Sequence, residues 1–287
     1  LLSLPAEDDI MSVVTELHIP GKRQKPDTSG IVILLTVVML ILAPLLLLSG
    51  GTGWTWPALV PDRPGGMLWS AALSPDNELF GAMFTSLLLA GVTSITGTVS
   101  GLLISRATAA FSNPVPRMLL LFPWIVSPVV AGISMYDQLA RAGLAGQMSG
   151  VVLAQLAFAA PLSAVVFQNL WSNRTRAMTR LVRDLGGSTT AVWRHVVWPA
   201  VRRIIPFCLL QTALFSWLDY GLVSTIGGGR VETVTVRLFA LLREGGMNQA
   251  AVAALILMTP PLLLAVPLAI LRLQLPDHVA GVSREIS

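Results

Sequence analysis

Residues 171–206 read WSNRTRAMTRLVRDLGGSTTAVWRHVVWPAVRRIIP, and this stretch decides how the rest of the chain is laid out. From Arg174 to Pro206 it carries seven arginines against one acid, Asp184, with a Gly186-Gly187 step and a Trp198-Pro199 step inside it. Apolar runs flank it on both sides, each long enough to cross a bilayer. A basic connection between two such runs lies in water on one side of a membrane, where it is available to touch something.

The chain has 287 residues, 54% of them apolar and 12% charged, whereas a soluble domain carries about a quarter charged residues. That deficit points to an integral membrane protein. Ile31 to Leu48 holds eighteen residues without a charge, about 27 Å of helix at roughly 1.5 Å per residue, close to the hydrocarbon thickness of about 30 Å. Comparable runs at 80–104, 118–136, 151–171, 204–226 and 249–271 bring the expected spans to six. Lys22, Arg23 and Lys25 precede the first span, and the arginine-rich loop joins the fourth to the fifth. The positive-inside rule then puts both on the cytoplasmic face and both termini inside. The expected fold class is an all-α integral membrane protein with six transmembrane helices. A cytoplasmic tail, 1–29, precedes a six-span domain, 30–272, whose cytoplasmic loop is 172–203, and a second tail follows at 273–287.

Several function classes are excluded at this level. The net charge of +4 is almost wholly arginine placed between spans, which argues for a membrane face and against nucleic acid. The lone Cys208 forms no internal disulfide, and His18, His195 and His278 make no cluster at metal-ligand spacing. Glu7, Asp8 and Asp9 stand where a secretory signal is basic, which argues against a cleaved signal peptide. No G-x-x-x-x-G-K-[ST] run is present, and Gly227-Gly228-Gly229-Arg230 lacks the context of a phosphate loop.

Residues 10–19 read either as an interfacial helix or as part of a disordered tail. Trp54, Trp56 and Trp69 suit the headgroup level of the first external loop. The second span carries Gly91, Ser94, Gly97, Ser100 and Gly101, small residues that let helices approach closely or line a pathway. In the third span Pro123 and Pro128 bend or open the helix, and broken helices at membrane depth often line cavities.

About thirty residues is long for a loop without structure of its own, so helices are expected within it. Residues 174–185 read as a continuation of the fourth span, stopped where Gly186-Gly187 admits a left-handed cap. Ser188 is the N-cap of a second, short helix from Thr189 to Val197. Val192, Trp193, Val196 and Val197 form its apolar side, and Arg194 and His195 its polar side. Pro199 disfavours helix at Trp198, so this helix is expected to stop there. It then lies across the cytoplasmic end of the bundle, and the residues alone read either as packing on the membrane surface with the arginines anchored to anionic lipid or as a surface that touches a partner.

Gly186, nine residues, Val196, one residue, then Trp198-Pro199 resembles the cytoplasmic Glu-Ala-Ala loop of permease subunits in type I binding-protein-dependent ABC importers. Two further stretches are similar to the same family. Phe122-Pro123-Trp124-Ile125-Val126-Ser127-Pro128-Val129-Val130 resembles its third-span pattern. Trp217-Leu218-Asp219-Tyr220-Gly221 with Ile226-Gly227-Gly228 resembles an Asp-Phe-Gly then Leu-Gly-Gly signature in the branch carrying iron, thiamine, polyamine, sulfate and phosphonate importers. The resemblance covers about residues 80–271. It departs at Arg180-Leu181-Val182, which stand where Glu-Ala-Ala opens the motif; Asp184 or an arginine contact is the substitute for the missing acid.

The resemblance implies the type I importer permease fold and a coupling helix that docks in a groove of a cytoplasmic ABC ATPase dimer. Its coupling residues are then Asp184, Gly186, Gly187, Ser188, Thr189, Val192, Trp193, Arg194, His195, Val196 and Pro199. The implied partners are that ATPase dimer, which carries ATP and Mg, a second permease subunit, identical or related, and an external substrate-binding protein received on residues 51–77 and 227–248. No cofactor is expected in this chain, and the membrane is a prokaryotic inner membrane. Asp219, Tyr220, Gly221, Gln211, Ser127 and Pro128 are candidates for the solute pathway or its exit. Asp219 is the one acid within an expected span, a costly placement that marks a functional or shaping role. Gln155, Gln168, Asn169, Gln211 and Thr212 read as pathway lining or interhelical hydrogen bonding. The expectation is a translocation subunit without catalytic chemistry. A membrane-embedded enzyme is the alternative in another class, but no Ser/His, paired-Asp or His/Glu arrangement lies within a span. A secondary carrier would bring inverted repeats.

Overall fold

Backbone amides in an apolar segment away from water must bond within that segment, and the described residues are mostly helical. The computed structural model describes residues 28–52, 63–111, 115–171 and 173–274. In order they form α1 (Thr28–Ser49), α2 (Met67–Ala72), α3 (Glu78–Ala109), α4 (Val115–Leu119), α5 (Pro128–Arg141), α6 (Met148–Gln168), α7 (Asn173–Asp184), α8 (Thr189–Val192), α9 (Trp198–Leu218), α10 (Gly221–Gly227), α11 (Val234–Arg243) and α12 (Met247–Gln274). Extended structure among the described residues is one antiparallel ladder, β1 (Gly51–Thr52) on β2 (Arg63–Pro64). The chain divides into two units. One is Ile41–Ala265; the other joins Leu1–Leu40 to Val266–Ser287, of which the described residues, 28–40 and 266–274, are helical. Most of the tail 1–29, nearly all of the tail 273–287, Trp54 and Trp56 lie outside the described residues.

Among the described residues, three helical runs are long and apolar enough to cross a membrane: Glu78–Ala109, Met148–Trp171 and Thr189–Leu218. Shorter apolar runs are Val38–Ser49 and Met247–Leu263. The three long runs overlap the second, fourth and fifth expected spans, and the two shorter ones overlap parts of the first and sixth. The third is divided as its prolines foretell, into α4, a 3₁₀ turn at Phe122–Ile125 and α5. Ser127, with φ −61° and ψ 136°, takes the extended conformation that a following proline imposes.

Two other expected continuities fail. The fourth span does not run on into residues 174–185, because a 3₁₀ turn at Asn169–Trp171 separates α6 from α7. The fifth span is not one helix from 204 to 226: Asp219, with ψ 118°, ends α9, and α10 starts afresh at Gly221.

The centre of the larger unit is the pair α3 and α6, which run parallel. Thr93 bonds Gln155 at 2.9 Å. Four residues on, a Cβ at Gly97 would lie 2.9 Å from Cβ of Ala159, and four further a Cβ at Gly101 would lie 2.4 Å from Cβ of Ser163. Small residues at this spacing bring two backbones together without lipid between them, as in transmembrane helix pairs generally. Helix α9 lies against the same pair, with Ser94 Oγ donating to Leu209 O at 2.8 Å. Helices α5 and α10 meet where a Cβ at Gly221 would be 2.9 Å from Pro128 Cβ and one at Gly132 would overlap Thr225.

Apolar clusters fill the rest. Leu89, Val151, Phe158, Leu222 and Ile226 form one. Ala90, Trp217, Val234, Leu241 and Ile256 form a second. Phe167, Leu170, Val192, Val197 and Val201 form a third, at the arginine-bearing end.

Candidate functional site

The described run Thr189–Leu218 carries a candidate site at each end. At its start, α7 closes in a Schellman turn: Gly187 N donates to Val182 O at 2.8 Å and Gly186 N to Arg183 O at 2.9 Å. Gly186 sits at φ +80° with open space around it, so its requirement is conformational. Gly187 has ordinary backbone angles, but a Cβ there would lie 2.6 Å from Val182 O, so its requirement is steric. Ser188 caps α8 as expected, its Oγ accepting from Ala191 N at 3.3 Å.

The two faces of the short helix are those read from the sequence. Val192 and Val197 are buried, Trp193 and Val196 half-buried, and Thr189, Arg194, His195 and Asp184 exposed. His195 Nδ1 lies 3.0 Å from Ala191 O. The expected stop before Pro199 does not occur. Trp193–Val197 is a π turn that leads directly into α9, with Trp198 helical at φ −59° and ψ −45°. A wider turn removes the clash between a proline ring and the carbonyl four residues back, and the missing N–H costs little near the start of the α-helical register.

Sequence reading missed what Trp193 packs against. Arg106, in the last turn of α3, lies over its indole with the guanidinium carbon 5.4 Å from the ring centroid, a cation–π contact. Trp171 Nε1 donates to Ser105 Oγ at 3.1 Å and ties the end of α6 to α3. No spacing signal joins residues so far apart in sequence; only the parallel pairing of α3 and α6 brings them together.

At the far end of the run, Asp219 is buried, 6% exposed. Gln155 Nε2 donates to its Oδ2 at 3.0 Å and Leu222 N to its Oδ1 at 3.2 Å. The Gln155 carbonyl oxygen accepts from Thr93 Oγ1 at 2.9 Å and Ser216 Oγ at 2.7 Å. Thr235 Oγ1 donates to the Asp219 carbonyl at 3.1 Å, which brings in α11. A buried acid is tolerated when each oxygen has a donor, and this network is closed on itself. It locks α3, α6, α9, α10 and α11 at one level.

The other pathway candidates divide. Gly221 touches Pro128 and so joins the Asp219 break to the proline break before α5. Tyr220 OH accepts from Arg243 Nη2 at 3.0 Å, and its ring stands 4.4 Å from that of Phe239. Ser127 is exposed, and Gln211 is half-buried with its Oε1 unpartnered. Of the polar residues read as pathway lining or interhelical bonding, Gln155 and Thr212 bond other groups in the core. A scan against protein-family models finds none that matches the chain, and no curated protein matches it.

Proposed function

We propose that this chain is the membrane-spanning permease subunit of an ATP-driven importer, which passes a small hydrophilic solute delivered by an external binding protein across a prokaryotic inner membrane. In this reading the chain crosses six times, α1, the broken α4–α5 segment and α12 joining the three long apolar runs. Both termini are cytoplasmic. ATP and Mg are held by a separate ATPase dimer, and a second permease subunit completes the path.

The observation that carries the proposal is the hairpin of α7 and α8. It is capped on both sides of Gly186-Gly187 and exposes Arg194 and His195 on a helix that continues, without a stop, into a long apolar run. A short helix rigidly continuous with a membrane helix transmits displacement; a flexible loop would absorb it. Closure of an ATPase pair on the hairpin then tilts α9 directly. The closed Asp219 network gives that tilt a fixed pivot at the other end of the run.

Purification of the tagged chain from its native membranes tests this. Recovery of an ATPase and a second permease with it is the expected result; recovery of the chain alone, active as an enzyme, sinks the proposal. In the reconstituted complex, Gly186→Val leaves insertion intact and uncouples ATP hydrolysis from transport.

A further inference from the structure

We infer that the cavity between α7 and the Trp193 turn is a binding site for a phosphate group, supplied by the headgroup of an anionic phospholipid. The cavity measures about 280 Å³ and is lined by Arg106, Arg176, Arg180 and Arg183 with Trp193 and Thr189. Among the described residues no aspartate or glutamate lines it, and none of the four arginines pairs with a described acid. Guanidinium groups gathered in a concavity without counter-acids focus positive potential there. Their planar forks match phosphate oxygens two at a time, which a single carboxylate on a mobile side chain does not exploit as fully. The volume is several times the ~30 Å³ share of one water, so the site admits a phosphodiester with its substituents.

Position selects the lipid. All three runs long enough to cross a membrane terminate at this cavity. Arg106 is in the last turn of α3, Trp171 closes the run from Met148, and Thr189 opens the run to Leu218. A cavity at the shared end of three apolar spans lies at the depth of lipid phosphates. Helix α7 is built for the same boundary. Arg176, Arg180 and Arg183 recur on the face toward the cavity, while Met178 and Leu181 lie on the opposite face and are 45% and 59% exposed. An amphipathic helix with this division lies in the interface, with apolar side chains among acyl chains and arginines beside headgroups. Arg106 is oriented by the Trp193 face, so one of the four cations is fixed before the anion arrives.

The test uses the purified full chain in non-ionic detergent, mixed with equal phosphatidylglycerol and phosphatidylcholine, with retained lipid read by native mass spectrometry. The expected result is selective retention of phosphatidylglycerol. Arg180→Gln/Arg183→Gln weakens that retention about thirtyfold, at about fivefold for each near-surface arginine. The charge-matched pair Arg202→Gln/Arg203→Gln, outside the cavity, leaves it within about twofold. Competition with inorganic phosphate separates the two sources of the group. Displacement at comparable occupancy assigns the site to a free phosphate and overturns the lipid assignment; persistence of bound lipid supports it. Equal loss in both double variants, or none in either, overturns the site and leaves the arginines to an acidic protein surface. Circular dichroism of each variant confirms that the helices are retained, so loss of folding is not mistaken for loss of the site.

Discussion

Pro199 and Asp219 stand near opposite ends of one helical run, and the residue that ordinarily breaks helices leaves this one unbroken while the acid ends it. At Pro199 the backbone widens into a π turn and carries on. At Asp219 no proline intervenes, yet α9 stops, because the carboxylate takes Leu222 N as a cap and Gln155 anchors its other oxygen. A break in a membrane helix is decided by where the freed polar groups find partners. Local propensity only proposes it.

The largest effect tests the Asp219 end. Asp219→Ala leaves Gln155 Nε2 and Leu222 N buried without acceptors, at about 1–3 kcal/mol each, for an expected loss of about 4 kcal/mol. Asp219→Asn keeps one acceptor and recovers part of it. Equilibrium unfolding in detergent reads both, and an alanine variant as stable as the parent would mean that the network does not hold the break.

The next effect asks whether the level set by Thr93 and Gln155 extends down the α3–α6 pair. Gly101→Val drives its side chain into Ser163 and Ala160, and overpacking of this kind costs about 1–3 kcal/mol. Gly91→Val, on the same helix with open space around it, serves as the control and leaves the melting temperature unchanged or raised. Equal behaviour of the two variants would contradict the parallel pairing.

At the other end the expected effects are smaller. Gly186→Ala forces a left-handed alanine and costs about 1–2 kcal/mol, with Asn recovering part of the loss. Pro199→Ala is the mildest, under about 1 kcal/mol, since the π turn already accommodates the ring. A larger loss at Pro199 than at Asp219 in the same melting assay would reverse the comparison.

Much of this was legible in the residues alone. The long apolar helices follow from runs poor in charge, and the Gly186 turn, the Ser188 cap and the division at Pro123 and Pro128 rest on bonds between residues a few positions apart. The two-sided character of Thr189–Val197 was legible for the same reason: helical periodicity is local. The expected stop at Trp198 failed because pre-proline bias is a preference of about one residue's backbone, and the packing of Val192, Val197 and Val201 against Phe167 outweighs it.

What the residues could not state is which helices are neighbours. Gln155 reads equally as pathway lining or as an interhelical bond until α3 and α6 lie parallel and in step, with Thr93, Gly97 and Gly101 opposite Gln155, Ala159 and Ser163. Only that pairing supplies Asp219 with its donor, sets Arg106 over Trp193, and gathers four arginines from two helices into one cavity. Hydrogen bonds and charges act over a few ångströms, while the residues that make them stand dozens of positions apart; the chain specifies each side chain, and the fold decides its partner.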